Sequence, residues 1–217
     1  MEATAANRPD ARFGRDPAKE TTTPPTVAAM TIADPAPLGL AAFALTTFVL
    51  SFFNAGLVSD AGEPVVLGLA LAYGGLAQVL AGMWEFRNNN TFGATAFTSY
   101  GAFWLSFWAF NQFFADKVPA SAVGHSVGLY LIAWGIFTSY MWIASFRTTA
   151  AVSLVFILLA VTFIVLGIGE SGGNTTVIHV GGWLGIATAI AAWYASFAGV
   201  ANSTFGRTVM PVRPFTR

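Results

Sequence analysis

The sequence predicts an all-α, polytopic membrane protein with six spans. Only 9% of its 217 residues are charged, whereas soluble domains carry about a quarter. Six windows contain no Asp, Glu, Lys or Arg, and each is longer than the roughly 20 residues that a helix needs to cross a bilayer. These windows are 35–59, 64–84, 88–115, 118–146, 148–169 and 171–206. Because a backbone in lipid must satisfy its own hydrogen bonds, each window predicts a helix.

The hydrophobic pattern places the spans within these windows and separates them by short polar connections. Consecutive helices joined by short connections are expected to be antiparallel neighbours. The predicted spans are 38–58, 65–86, 93–114, 124–145, 151–169 and 178–199. Spaced glycine pairs in two of them, Gly124 with Gly128 and Gly181 with Gly185, predict close helix packing.

The two ends of the chain differ from its middle. Residues 1–33 are rich in charge, proline and threonine and hold no apolar segment, which predicts a disordered tail. The first apolar stretch is too long for the apolar core of a signal peptide. We therefore divide the chain into an N-terminal tail (1–33), a membrane domain (34–206) and a C-terminal tail (207–217).

The basic residues predict the orientation of the spans. With six spans and a cytoplasmic N-terminus, nine of the ten Lys and Arg residues fall in cytoplasmic segments. Lys117 is the one in an external connection. Cytoplasmic connections carry an excess of basic residues, so both termini are predicted to face the cytoplasm, and the plasma membrane is the expected location.

The composition limits the kinds of partner and binding site that the protein can have. The formal net charge is zero, so nucleic acid is not an expected partner. There is no cysteine and there are two histidines, so neither a thiolate nor a multi-histidine metal site is expected, and no cofactor is predicted. The spans carry no clustered acids or ligands of the kind an enzyme needs. Without a countercharge at mid-depth, the spans suit a small, weakly polar solute, and we predict that the protein is not an enzyme.

The third predicted span carries a stripe of hydroxyl groups. Thr91, Thr95, Thr98 and Ser106 fall close to one helical face, and Ser99 is adjacent. A polar stripe on a membrane helix faces other helices or a pore rather than lipid. The spacing leaves two interpretations open, a pore wall or hydrogen bonding between helices.

A few other polar residues lie in or near the spans. Asn54, the pair Thr46 and Thr47, and Gln78 are buried amides or hydroxyls that need partners, either a substrate carboxyl group or a neighbouring helix. The candidates for proton coupling are Asp34, Glu85 and His179. Each also has a structural interpretation, as a helix cap, an interfacial charge and an interfacial histidine, respectively.

Several segments together resemble the acetate uptake transporter family, which includes the succinate–acetate permeases. They span residues 34–211 in order, and the segment from Asn90 to Gly101 is the most specific. The others are Asp34 to Leu40, Tyr73 to Gln78, Ile178 to Trp183 and Phe205 to Val209. The first motif of the family usually begins with Asn, and this chain has Asp34 there.

The resemblance implies a homohexamer of six-helix bundles with a separate pore in each protomer. It implies uptake of acetate and related short monocarboxylates, with succinate for some members, coupled to protons or following the undissociated acid. It also implies a narrow apolar constriction, at positions matched here by Phe43, Tyr100 and Leu159. Substrate-binding candidates are Thr46, Asn54, Gln78, Thr95, Thr98 and Ser99.

Other functions stay open at this stage. A passive channel for anions or small solutes, a membrane-embedded enzyme and a sensor or assembly protein without transport are the alternatives. The enzyme would need a nucleophile with a base, or a metal cluster, at one depth, and the sequence offers neither. Uptake of labelled acetate into proteoliposomes distinguishes transport from a sensing or assembly role.

Overall fold

The computed structural model describes residues 32–215, and the predicted N-terminal tail lies almost wholly outside them. The described residues form six helices, each overlapping one predicted span. α2 contains a π-helical segment, Ala72–Ala77, and α3 continues through a π-helical turn, Phe110–Phe114. The helices are α1 (Ala36–Asn54), α2 (Val65–Arg87), α3 (Thr91–Ala109), α4 (Ala120–Ser145), α5 (Ala150–Gly172) and α6 (Thr175–Phe205).

Within residues 32–215, five helices are long and apolar enough to cross a membrane, and α3 is not among them. Its threonine, serine and glycine residues lower the mean hydropathy of Thr91–Ala109. The threonines and serines among them form the stripe that the sequence singled out.

Side-chain caps mark the starts of three helices, and left-handed glycines mark the ends of two. The side chains of Asn90, Thr149 and Asn174 accept hydrogen bonds from backbone N–H groups of the first turns of α3, α5 and α6, which caps each helix. Gly173 and Gly206 end α5 and α6 with φ of 58° and 62°, a left-handed conformation that glycine adopts without strain.

Glycines bring the helices close together, as the sequence predicted. α1 packs on α6, α6 on α5, α5 on α4, and α2 on α3. A Cβ atom at Gly128 of α4 would lie 2.7 Å from the carbonyl oxygen of Gly167 in α5. Gly185 of α6 packs just as closely against Ser51 of α1. The predicted close approach at both glycine pairs is therefore confirmed.

The segment after α6 is attached to the bundle. Asn202 accepts hydrogen bonds from the backbone N–H groups of Val209 and Met210 and donates to the carbonyl of Met210. The carbonyls of Val212 and Arg213 then accept hydrogen bonds from the first N–H groups of α5. Part of the predicted C-terminal tail, residues 208–215, thus caps the start of α5.

Candidate functional site

A cavity of about 530 Å³ lies between α1, α3, α4 and α5. Its shallow end is at the α1–α2 and α3–α4 connections and the C-terminal end of α5, and its deep end is at Phe43 of α1 and Leu159 of α5. From Asn54 to Phe43, α1 rises about 16 Å at 1.5 Å per residue. This length is half of the roughly 30 Å thickness of a hydrocarbon layer.

One face of α1 lines the cavity and supplies three of its polar residues. Phe43, Thr47, Ser51 and Asn54 recur every three or four residues and all line the cavity, as the helical period requires. Thr46 is one residue out of this register, and its hydroxyl instead donates to the carbonyl of Ala42 at 2.9 Å. Of the α1 candidates predicted from sequence, Phe43 and Asn54 therefore lie in the cavity and Thr46 does not.

Aromatic rings surround the deep end of the cavity. Phe43 and Leu159 are both buried and line it. Tyr100 does not line it, but the Tyr100 ring centroid lies 5.9 Å from that of Phe43 and 6.0 Å from that of Phe156. The Tyr100 hydroxyl donates a hydrogen bond to Thr138 of α4. The three predicted constriction residues are thus neighbours, with Tyr100 behind Phe43.

The shallow end carries two carboxylates and no basic side chain among the described lining residues. These are Glu63, just before α2, and Glu170, near the end of α5. Partial burial raises the pKa of the Glu63 carboxyl above its ordinary value, and the negative charges of Asp60 and Glu170 raise it further. Like charges in a poorly solvated site disfavour the ionised form.

The stripe on α3 divides between the two interpretations that the sequence left open. Ser106 lines the cavity, and its hydroxyl lies 2.7 Å from that of Tyr130. Thr98 faces α2, where it packs against Gly82. Thr95 and Ser99 are half-buried and line no part of the cavity. Part of the stripe is cavity wall and part is helix packing.

Some buried polar atoms of α2 and α3 have no partner among the described residues. Neither side-chain polar atom of Gln78 has a hydrogen-bond partner within residues 32–215, and the same holds for the Thr98 hydroxyl and for Oε1 of Glu85. Gln78 and Glu85 are buried to 1% and 0% exposure. Oε2 of Glu85 accepts a hydrogen bond from the Asn88 amide at 3.3 Å. Such groups are costly to bury unless something pairs with them.

The other acid–base candidates lie apart from the cavity. Asp34 is exposed, and its Oδ1 accepts a hydrogen bond from the backbone N–H of Ala36, which serves the start of α1. His179 is exposed on α6, and its ring lies against Gly56. No group of three metal-ligating side chains is found within the described part of the chain.

Sequence reasoning noted Thr47 only as a buried hydroxyl beside Thr46, and it did not single out several other lining residues. Thr47 and Ser51 follow from the helical period once Phe43 and Asn54 are placed together, so the pattern could have assigned both to the cavity. Trp104 and Tyr130 carry no such signal, because a tryptophan or tyrosine in a span is as common at a lipid interface. Glu63 and Glu170 flank connections, and only the fold brings them to one cavity.

Comparison with known proteins finds a family profile and several relatives that match most of this chain. The profile of the GPR1/FUN34/yaaH family matches residues 18–217. The chain is 44% identical over 204 residues to acetate permease A of Emericella nidulans, covering 87% of this chain and 68% of that protein. It is 39% identical over 181 residues to the succinate-acetate/proton symporter SatP of Escherichia coli, covering 83% of this chain and 95% of that protein.

The fold has a solved counterpart. A structure described as the bacterial acetate channel SatP superimposes with a TM-score of 0.79 at 39% identity, covering 84% of this chain and 99% of the other. The chain spans 66% and 68% of the length of two fungal relatives that it matches.

Proposed function

The chain belongs to the GPR1/FUN34/yaaH family, and from that premise we propose that it carries acetate and related short carboxylates across a membrane. The observation that supports this most directly is the cavity, whose lining runs from polar residues such as Glu63 and Glu170 at its shallow end to Phe43 and Leu159 at its deep end. Its size and its mixed polar and apolar lining suit a small acid with one methyl end. Relatives named as a permease, a symporter and a channel are transport proteins, not enzymes.

The proposed architecture is six spans with both termini in the cytoplasm of a plasma-membrane protein, and a pore in each protomer of a homohexamer. α3 completes the six because its polar side chains face α2, α4 and the cavity rather than lipid. In this orientation the cavity opens to the outside, and the acid travels from Glu63 and Glu170 towards Phe43.

Phe43, Tyr100 and Leu159 form the proposed constriction. Phe43 and Leu159 present apolar surface at the deep end of the cavity, and Tyr100 supports the Phe43 ring from behind. An apolar neck excludes water and hydrated ions without needing a charge. A methyl group passes such a neck more easily than an inorganic ion does.

The polar substrate-binding candidates are assigned to the parts of the proposed transport route that lie outside and inside the constriction. Asn54 belongs to the outer half, because it lines the cavity. Gln78 and Thr98 belong to the inner half, where their unpartnered atoms would pair with water or with the carboxyl group when the neck opens. Thr46, Thr95 and Ser99 are proposed to support these positions from the adjacent turns.

Protons are the proposed coupling partner, and Glu85 is the proposed proton-carrying group of the inner half. Its carboxylate is fully buried at the inner end of α2, whereas Asp34 and His179 are exposed. Asp34, at the start of α1, and His179, at the outer start of α6, are proposed to adjust proton access at the two ends.

Purified protein in proteoliposomes tests this function. We expect labelled acetate to enter, and an inward proton gradient at zero membrane potential to accelerate it. Glu85→Gln should remove the acceleration but keep downhill flux. Proteoliposomes with correctly inserted protein and no acetate flux above lipid alone would contradict transport. If acetate flux through the native protein does not depend on the proton gradient, the protein is a passive channel rather than a proton-coupled transporter.

A further inference from the structure

Two buried hydrogen-bond donors next to the proposed constriction have no partner. The hydroxyl of Thr47 and the indole Nε1 of Trp104 lie in residues that line the cavity, and neither atom has a hydrogen-bond partner within residues 32–215. Thr47 is 7% exposed and Trp104 is 2% exposed. A buried donor left unpaired costs about 1–3 kcal/mol, so each of these donors is a candidate for pairing with a ligand.

Thr47 is an exception among the buried threonines of this bundle. The hydroxyls of Thr46, Thr138, Thr162 and Thr188 each donate to the carbonyl four residues earlier, at 2.7–2.9 Å. That bond is the ordinary way for a threonine inside a helix to satisfy its hydroxyl. Thr47 does not make it, so its hydroxyl is free to bind something else.

The two residues lie at about one depth. Thr47 follows Phe43 by four residues on α1, and Trp104 follows Tyr100 by four residues on α3. The rings of Phe43 and Tyr100 are in contact, and α1 and α3 run in the same direction because α2 lies between them in the chain. Four residues rise about 6 Å, so the backbones of Thr47 and Trp104 lie about one helical turn beyond those of Phe43 and Tyr100, on the outer side.

We infer that Thr47 and Trp104 form a carboxylate-binding site just outside the constriction. The inference rests on the proposed transport function and deepens it. An indole N–H only donates, so the site prefers a ligand that is purely an acceptor. An ionised carboxylate meets this requirement, and an ammonium group, which has no acceptor, does not. With an oxygen held between the donors, the alkyl end points at Phe43 and Leu159.

The site also predicts a preference for short acids. Because Thr47 and Trp104 lie about one helical turn from Phe43 and Tyr100, a carboxylate held there leaves room for a short alkyl end, whereas a longer chain meets the rings before its carboxylate is seated. Both donor atoms are closed to water in this structure. A carboxylate therefore reaches them only when neighbouring side chains move aside, which favours an ion with a small headgroup.

Half-saturating acetate concentrations for uptake, and stabilisation of the protein against thermal unfolding by acetate, test the site. Thr47→Val keeps the shape and removes the hydroxyl, and Trp104→Phe removes the N–H. A hydrogen bond to a charged group contributes about 1.5–3 kcal/mol, so each change should raise the half-saturating concentration about tenfold or more. Thr47→Ser should restore it. Methylammonium should not compete.

Matched controls separate binding from packing. Thr188→Val removes a buried hydroxyl outside the cavity, one that already pairs with Thr162 and Leu184, and Trp108→Phe changes a neighbouring tryptophan that does not line the cavity. Neither should change the acetate dependence.

If Thr47→Val transports with native affinity, or if Thr47→Ser fails to restore affinity, this site is wrong while transport stands. If native protein neither transports nor is stabilised by acetate, the proposed function itself fails.

Discussion

The phenol of Tyr100 donates a hydrogen bond of 3.0 Å to the hydroxyl of Thr138 on α4. Thr138 in turn donates to the carbonyl of Trp134, so its oxygen is free to accept from Tyr100. The bond turns the phenol away from the cavity and ties α3 to α4. The Tyr100 ring, rather than its hydroxyl, is therefore what supports the proposed constriction.

Tyr100→Phe should consequently change transport little. The substitution removes one buried hydrogen bond, which lowers the free energy of unfolding by about 1 kcal/mol, and it leaves the ring against Phe43. Initial rates of acetate uptake across a range of concentrations provide the measurement, with Thr138→Val as the control for the same bond. A large loss of acetate affinity in Tyr100→Phe alone would mean that the hydroxyl leaves Thr138 to hold the acid.

Leu159→Ala should widen the deep end of the cavity. Lactate and succinate should then compete better with acetate, and the lost packing should cost about 2–5 kcal/mol of stability. Competition assays at matched protein levels measure the change. Leu158→Ala is the control, because Leu158 lines an apolar groove on the outer surface of the bundle instead. Unchanged size preference in Leu159→Ala would remove Leu159 from the constriction.

Gly128→Ala should weaken the contact between α4 and α5. The added Cβ would meet the carbonyl of Gly167 at 2.7 Å, as well as the Ser171 side chain, and overpacking of this kind costs about 1–3 kcal/mol. Gly172→Ala is the control, since nothing lies within 4 Å of its Cβ position. Thermal unfolding in detergent compares the two, and equal midpoints would show that the helices separate without cost.

The positions of the helices could be predicted from the sequence, but the lining of the cavity could be predicted only in part. Charge-free windows located every helix, because the bilayer imposes length and polarity on a span. Helical period could place Phe43 and Asn54 on one face of α1. It could not show that Thr47, rather than Thr46, faces the cavity. That depends on which side of α1 the neighbouring helices occupy, and the two threonines are identical in sequence terms. Nor could the helical period bring Glu63 and Glu170 together across two connections.

Glu63 should make stability depend on pH. Because the folded-state pKa of Glu63 is raised, the folded protein binds this proton more tightly than the unfolded chain does. The stabilisation is complete below the unfolded pKa of about 4.3. It is lost as pH rises through the higher folded-state pKa.

Thermal unfolding midpoints from pH 4 to 8 measure this dependence. Glu63→Gln should flatten it and gain relative stability at the alkaline end. Asp116→Asn removes a negative charge from an exposed residue that does not line the cavity, and it should keep the native slope. A Glu63→Gln profile parallel to that of the native protein would show that Glu63 titrates alike in the folded and unfolded states.

Asn202→Ala should release the segment that caps α5. The Asn202 side chain makes three hydrogen bonds to the backbone of Val209 and Met210. This attachment holds the carbonyls of Val212 and Arg213 over the first N–H groups of α5. At about 1 kcal/mol per bond, its loss should favour a detached segment and make the bond between Arg207 and Thr208 a better trypsin substrate. Mass spectrometry of limited digests would detect faster cleavage after Arg207 than in native protein. Ser203→Ala, at the exposed neighbouring position, should digest at the native rate. Cleavage of Asn202→Ala at that same native rate would show that the contacts with α5 hold the segment without Asn202.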